Sequence, residues 1–334
     1  MALNDTIYAY AVGRTRALET RLVDRARFER MIEASSAHEA LKVLAESDYA
    51  AAITELSDIY NFESMLASEL KDIFYLIKSI SPKPELIDIL TLRYDIHNLK
   101  VLFKAKYLNI KSELLIPVGS MDVDRLEHSV SEESFRDFPL NIRTALETIT
   151  DEFLLNKDPQ VIDLILDKVL FKQLMVVSRE KKLSFLEGLI TRQIDLVNLR
   201  TLIRVKRMGS GADFLKHSLL TEGSIALDRL LALINEPLES MVSSLSMSEY
   251  AEVVAEGVQE WQEKGTASRL EKLSDDHLTN YLKQAKWMAF GFEPLLGYLW
   301  GKEIEIKNIR LILVGKINRL PNEAIRERLR NGYI

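Results

Sequence analysis

Side-chain chemistry needs particular groups at workable spacings, and this 334-residue chain offers few such arrangements. Cysteine is absent. That excludes a thiol nucleophile, a disulfide framework, cysteine zinc sites and iron–sulfur clusters. The histidines His38, His97, His128, His217 and His277 are scattered, with no helical i, i+4 pair and no H-E-x-x-H, so no metal site is expected. Gly297-Tyr298-Leu299-Trp300-Gly301-Lys302 has the glycines and lysine of a phosphate loop. Its glycines are one residue too close, and Glu303 stands where a serine or threonine would hold magnesium. Gly315-Lys316 lacks the upstream glycine, and neither G-x-G-x-x-G nor G-x-S-x-G occurs. No catalytic residue, cofactor or small-molecule substrate is expected.

What remains is a set of carboxylates that recurs. Asp95-Ile96-His97-Asn98-Leu99-Lys100 continues to Lys106, Asp195-Leu196-Val197-Asn198-Leu199-Arg200 to Lys206, and Glu305-Ile306-Lys307-Asn308-Ile309-Arg310 to Lys316. Each copy reads acid-x-x-Asn-aliphatic-base, then a lysine, at near-constant intervals along the chain. On a helix the acid, the aliphatic residue and the terminal lysine fall on one stripe. Asparagine is a poor residue for a helix interior because it competes for backbone hydrogen bonds. Its return in all three copies points to the same polar partner each time. A buried hydrogen bond to the backbone of a neighbouring helix is the first expectation, and direct contact with another protein the second. Asp95, Asn98, Leu99, Asp195, Asn198, Leu199, Glu305, Asn308 and Ile309 are thus expected to be structural signature residues; the acids are expected to pair within or between helices and, each in its own copy, not to form a catalytic cluster.

A second block supports the repeat. Gly119-Ser120-Met121-Asp122-Val123-Asp124-Arg125-Leu126 matches Gly223-Ser224-Ile225-Ala226-Leu227-Asp228-Arg229-Leu230, and Leu22-Val23-Asp24-Arg25 echoes both without the glycine-serine pair. The repeat predicts three helical units, 1–112, 113–215 and 216–334. Breaks are expected at Ser81-Pro82-Lys83-Pro84, Ile116-Pro117-Val118-Gly119, Asp158-Pro159, Gly209-Ser210-Gly211, Glu236-Pro237 and Leu320-Pro321. Asp158-Pro159 also reads as a helix start. Between breaks the apolar residues keep helical spacing, as in Leu66, Leu70, Phe74 and Ile77.

Bases, Lys302 among them, outnumber acids around each repeat helix, although the whole chain carries −6. Lys106, Lys206 and Lys316 fit compensation of helix C-terminal dipoles. With Lys100, Arg200 and Arg310 they also fit a basic rim facing an acidic or polar partner. The acidic total argues against nucleic acid as a partner.

The elements themselves must be helices. Gly 13 and Pro 8 fall well below the ordinary combined share of about 12%, too few turn residues for a sandwich or barrel. The chain is 47% hydrophobic, as folded proteins are, and the expected class is all-α. Met1 to Gly13 has no basic stretch before its apolar run, so no signal peptide is expected. The apolar run Trp287 to Gly301 holds Glu293 and Pro294, and it is too short and interrupted to span a bilayer.

Tyr8-Ala9-Tyr10-Ala11-Val12-Gly13-Arg14, Arg16-Ala17-Leu18-Glu19 and Arg93-Tyr94-Asp95-Ile96-His97-Asn98-Leu99-Lys100 resemble the C subunit of archaeal and bacterial V-type (A-type) ATPases, a family similar to the d subunit of the eukaryotic vacuolar enzyme. The resemblance runs the whole length, and the threefold repeat is its hallmark. It implies a funnel-shaped protein of pseudo-threefold symmetry with no active site. Such a protein would lie peripherally on the cytoplasmic face of the membrane, between the central stalk subunits D and F and the proteolipid ring. The repeat alone also fits a free-standing helical scaffold that binds proteins, although three long units suit a closed arrangement better than a linear solenoid.

Overall fold

The computed structural model describes residues 6–111 and 115–334, so Met1 to Asp5 and the expected boundary at 112/113 lie outside the described residues. Every regular element among the described residues is helical. In chain order the first are α1 (Ala9–Glu19), α2 (Arg25–Glu33), α3 (Ala37–Leu44), α4 (Ala50–Thr54) and α5 (Phe62–Ile80). Then come α6 (Pro84–Leu108), α7 (Val123–Ser131), α8 (Leu140–Asn156), α9 (Gln160–Glu180), α10 (Ser184–Met208), α11 (Ala212–Ser218) and α12 (Leu227–Ala232). The last are α13 (Leu238–Leu245), α14 (Ala251–Lys264), α15 (Ser268–Leu282), α16 (Glu293–Ile317) and α17 (Asn322–Arg328).

The sequence breaks all fall between helices or at their ends. Pro84 opens α6 and Pro294 lies in the first turn of α16, where the missing N–H has no intrahelical partner to lose. Asn109 ends α6 and Gly209 ends α10, both in the left-handed conformation (φ 51° and 65°) that closes a helix by turning its backbone away. Asp158 accepts a hydrogen bond from the Gln160 amide just as α9 begins. The repeat signatures lie on α6, α10 and α16, each 25 residues long.

The chain forms two compact units: Met1–Pro82 with Asn235–Ile334, and Lys83–Ile234. In Lys83–Ile234, α9 packs on α6, α8 and α10, α7 lies on α6, and α11 on α10. The core there is built from Leu99, Leu102 and Phe103 of α6, Leu166 of α9 and Leu199, Leu202 and Ile203 of α10. In the other unit α16 is the hub, touched by α1, α2, α3, α5, α15 and α17. That explains why α16 is apolar on nearly all sides: its Leu295, Leu296, Tyr298, Leu299, Ile304, Ile309 and Ile312 are all buried in protein. No helix among the described residues is long and apolar enough to cross a membrane.

Candidate functional site

A connecting segment that crosses the buried side of a helix must find partners for its peptide groups. The three asparagines supply them in one way. Asn98 donates from Nδ2 to the Ile116 carbonyl at 2.9 Å, and its Oδ1 accepts from the Ile116 amide at 2.8 Å. Asn198 does the same with Leu220, at 2.9 and 2.8 Å. Asn308 does the same with Arg330, at 3.0 and 2.9 Å. A primary amide is the one short side chain with a donor and an acceptor side by side, so it can pair with a whole peptide unit. Aspartate would offer acceptors only. The partner in each case is a non-helical segment, not a neighbouring helix. All three asparagines are fully buried, as are Leu99, Leu199 and Ile309 beside them.

One turn earlier on each helix sits the acid. Asp95 accepts from the Ser120 amide and hydroxyl and from the Met121 amide. Asp195 accepts from the same groups of Ser224 and Ile225. Here the glycine of the second sequence block finds its cause. A Cβ at Gly119 would collide with Asp95 Oδ1, and one at Gly223 with Asp195 Oδ1. Burial pushes the Asp95 carboxyl above the usual range, opposed by the Ser120 hydroxyl and the Met121 and Ser120 amides.

Glu305 meets a different set of partners. It accepts from the Val23 amide and from the Tyr49 hydroxyl at 2.8 Å. Lys302, one turn back on α16, lies 2.8 Å from both Glu305 and Glu69 of α5, and its ammonium sits 4.4 Å from the centre of the Tyr49 ring. Burial pulls Lys302 down, but the two carboxylates outweigh it and hold the ammonium above its ordinary value. Burial pushes the Tyr49 hydroxyl up, and the negative charges of Glu305 and Glu69 add to that. By sequence Lys302 is one of the bases that outnumber acids around the third repeat helix; in the fold it is 4% exposed. Tyr49, Glu69 and the role of Lys302 leave no mark in the repeat pattern. Three residues before the acid stand Leu92, Arg192 and Lys302, so a base at that offset does not by itself mark the third copy.

The terminal lysines close the pattern. Lys106 donates to the Val130 and Ser131 carbonyls at the end of α7 and to Glu133. Lys206 donates to the Leu233 and Ile234 carbonyls just past α12. Lys316 donates to the Ala34 carbonyl just past α2 and to Asn322. Helix C-termini present unpaired carbonyls and negative dipole ends, and a lysine satisfies both. Each lysine therefore serves the end of another helix. Of the other bases, Lys100 pairs with Asp167 of α9 and Arg310 with Glu63 of α5, while Arg200 is half-buried on α10.

These stations define an all-helical repeat protein in which three long helices clamp other segments through an acid, an asparagine and a lysine. Residues 11–328 match the family model described as ATP synthase (C/AC39) subunit. The C subunit of the V-type sodium ATPase of Enterococcus hirae is 30% identical, over 95% of this chain and 96% of that protein. The C subunit of the A-type ATP synthase of Methanocaldococcus jannaschii is 30% identical, over 98% and 88%. The equivalent A-type protein of Pyrococcus furiosus is 27% identical, over 96% and 90%. The chain belongs to the ATP synthase (C/AC39) subunit family.

Proposed function

We propose that this chain is a non-catalytic coupling subunit of a V/A-type rotary ATPase. It links the central stalk subunits D and F to the membrane proteolipid ring, on the cytoplasmic face, and carries torque without an active site of its own. The observation that supports this most is the end-to-end match to relatives whose names are those of ion-pumping and ATP-forming complexes. The recurrent polar residues fit such a duty. They brace one segment against another, which is what a part under load needs. A pseudo-threefold, funnel-like arrangement of three homologous repeats belongs to the same proposal, as does a partner-facing rim built on Lys100, Arg200, Arg310, Lys106, Lys206 and Lys316. The last three already bond internal groups, so a partner's acid would share or displace those bonds.

The test is capture of the tagged chain from its own cells, followed by identification of what accompanies it across a salt series. Stalk and proteolipid subunits are expected, with attachment weakening as salt rises because exposed charge pairs are screened. The purified chain alone is expected to hydrolyse no ATP. Recovery of the chain free of all ATPase subunits at low salt overturns the proposal.

A further inference from the structure

We infer that the third repeat is split along the chain: its body is α16, its head is the N-terminal turn at Val23 with α2, and the buried Lys302–Glu305–Glu69–Tyr49 cluster is the clasp that holds head to body. This inference does not rest on the proposed function. It stands on register. In the first repeat the acid of α6 holds the turn 25 and 26 residues later, and Lys106 holds the end of the following helix α7, 24 and 25 residues later. In the second, Asp195 holds the turn 29 and 30 residues on, and Lys206 the end of α12, 27 and 28 residues on. In each, acid and lysine grip the start and finish of one short helix. In the third, Glu305 holds Val23 and Lys316 holds Ala34, both at a separation of 282 residues. The short helix gripped between them is α2, which begins at Arg25 under an Asp24 cap, as α7 begins at Val123 under Asp122. Helix α2 thus occupies on α16 the place that α7 has on α6 and α12 on α10.

The chemistry of the clasp follows from what the N-terminal turn lacks. Arg21 and Leu22 stand where the other turns have glycine and serine. Leu22 supplies no hydroxyl, and Arg21 carries a Cβ where the other turns have none. Glutamate, one methylene longer, reaches the Val23 amide from further away, and the Tyr49 hydroxyl replaces that of serine. Lys302 supplies the cation that buried Glu305 requires, and it pairs with half-buried Glu69 as well. Residues from four separated stretches of sequence therefore converge, whereas Asp95 and Asp195 take their serine and amide donors from the loop that follows their own helix.

Hydrogen exchange on the full chain tests this. Glu305→Gln keeps the shape and removes the charge. It is expected to speed amide exchange in α2 and α3 by about tenfold or more, from the loss of charge-assisted bonds, while α7 and α12 keep wild-type rates. Asp195→Asn is expected to do the reverse, loosening α12 and leaving α2 unchanged. If Glu305→Gln fails to fold, Tyr49→Phe gives the same pattern at smaller size. In the wild-type chain, a native-state denaturant series should show α2 and α16 opening together. Wild-type α2 rates in a folded Glu305→Gln chain, equal acceleration of α7 and α12, or α2 opening well before α16 would each overturn the inference.

Discussion

Two kinds of station hold the long helices. In Lys83–Ile234, Asp95 and Asp195 each accept from a serine hydroxyl and two amides of a glycine-serine turn that follows soon after in the chain. In the other unit Glu305 faces a turn without glycine or serine and is balanced by a buried lysine. The difference shows that one geometric task admits two chemical solutions, with different weaknesses. Neutral donors demand close approach, hence bare glycine. A longer acid tolerates a side chain on the turn, but fewer backbone donors reach it, and Lys302 stands beside it.

The largest expected break in this comparison is Lys302→Met. It removes the cation beside buried Glu305 and half-buried Glu69, which costs about 3–5 kcal/mol. Urea denaturation measures it. A loss under about 1 kcal/mol, the scale of an exposed ion pair, would mean that the carboxylates do not depend on their lysine. Next come Asn98→Leu, Asn198→Leu and Asn308→Leu. Each strands a peptide N–H and C=O, at about 1–3 kcal/mol. Because the bond pattern is the same in all three, similar losses in thermal or urea melts are expected even though the acids differ. A clearly smaller loss at Asn308 would extend the contrast from the acid to the asparagine. The smallest are Gly119→Ala and Gly223→Ala, which push a methyl into the acid and should cost about 1–3 kcal/mol, toward the lower end because a side chain can yield. Arg21→Ala, at the matching place in the third station, should stay within about 0.5 kcal/mol. A tolerated alanine at Gly119 would show that its turn does not need the close approach.

Much of the fold is legible in the sequence because helices are local. Helix ends at Pro84, Asn109, Pro159 and Gly209 follow from backbone constraints carried by those residues or their neighbours. The repeat is legible too, since Asp95, Asn98 and Lys106 recur at fixed offsets along one helix, and a helix makes offset equivalent to face. Which groups they serve is not. Ile116, Leu220 and Arg330 share no side-chain type, because the bond is to their peptide groups, and backbone is invisible to residue identity. Lys302 looks like a surface base because charge is a property of the residue, whereas burial belongs to whatever packs around it.

Sequence alone therefore determined the helices, their breaks, the family resemblance and the existence of three copies of one polar signature. Tertiary structure decided the partners: that the lysines cap other helices, that the glycines yield space to an aspartate, and that the third copy is completed by residues 282 positions away. The physical reason is range. Periodicity and capping act over a few residues and are written locally, whereas a hydrogen bond between distant segments depends on how the whole chain folds back.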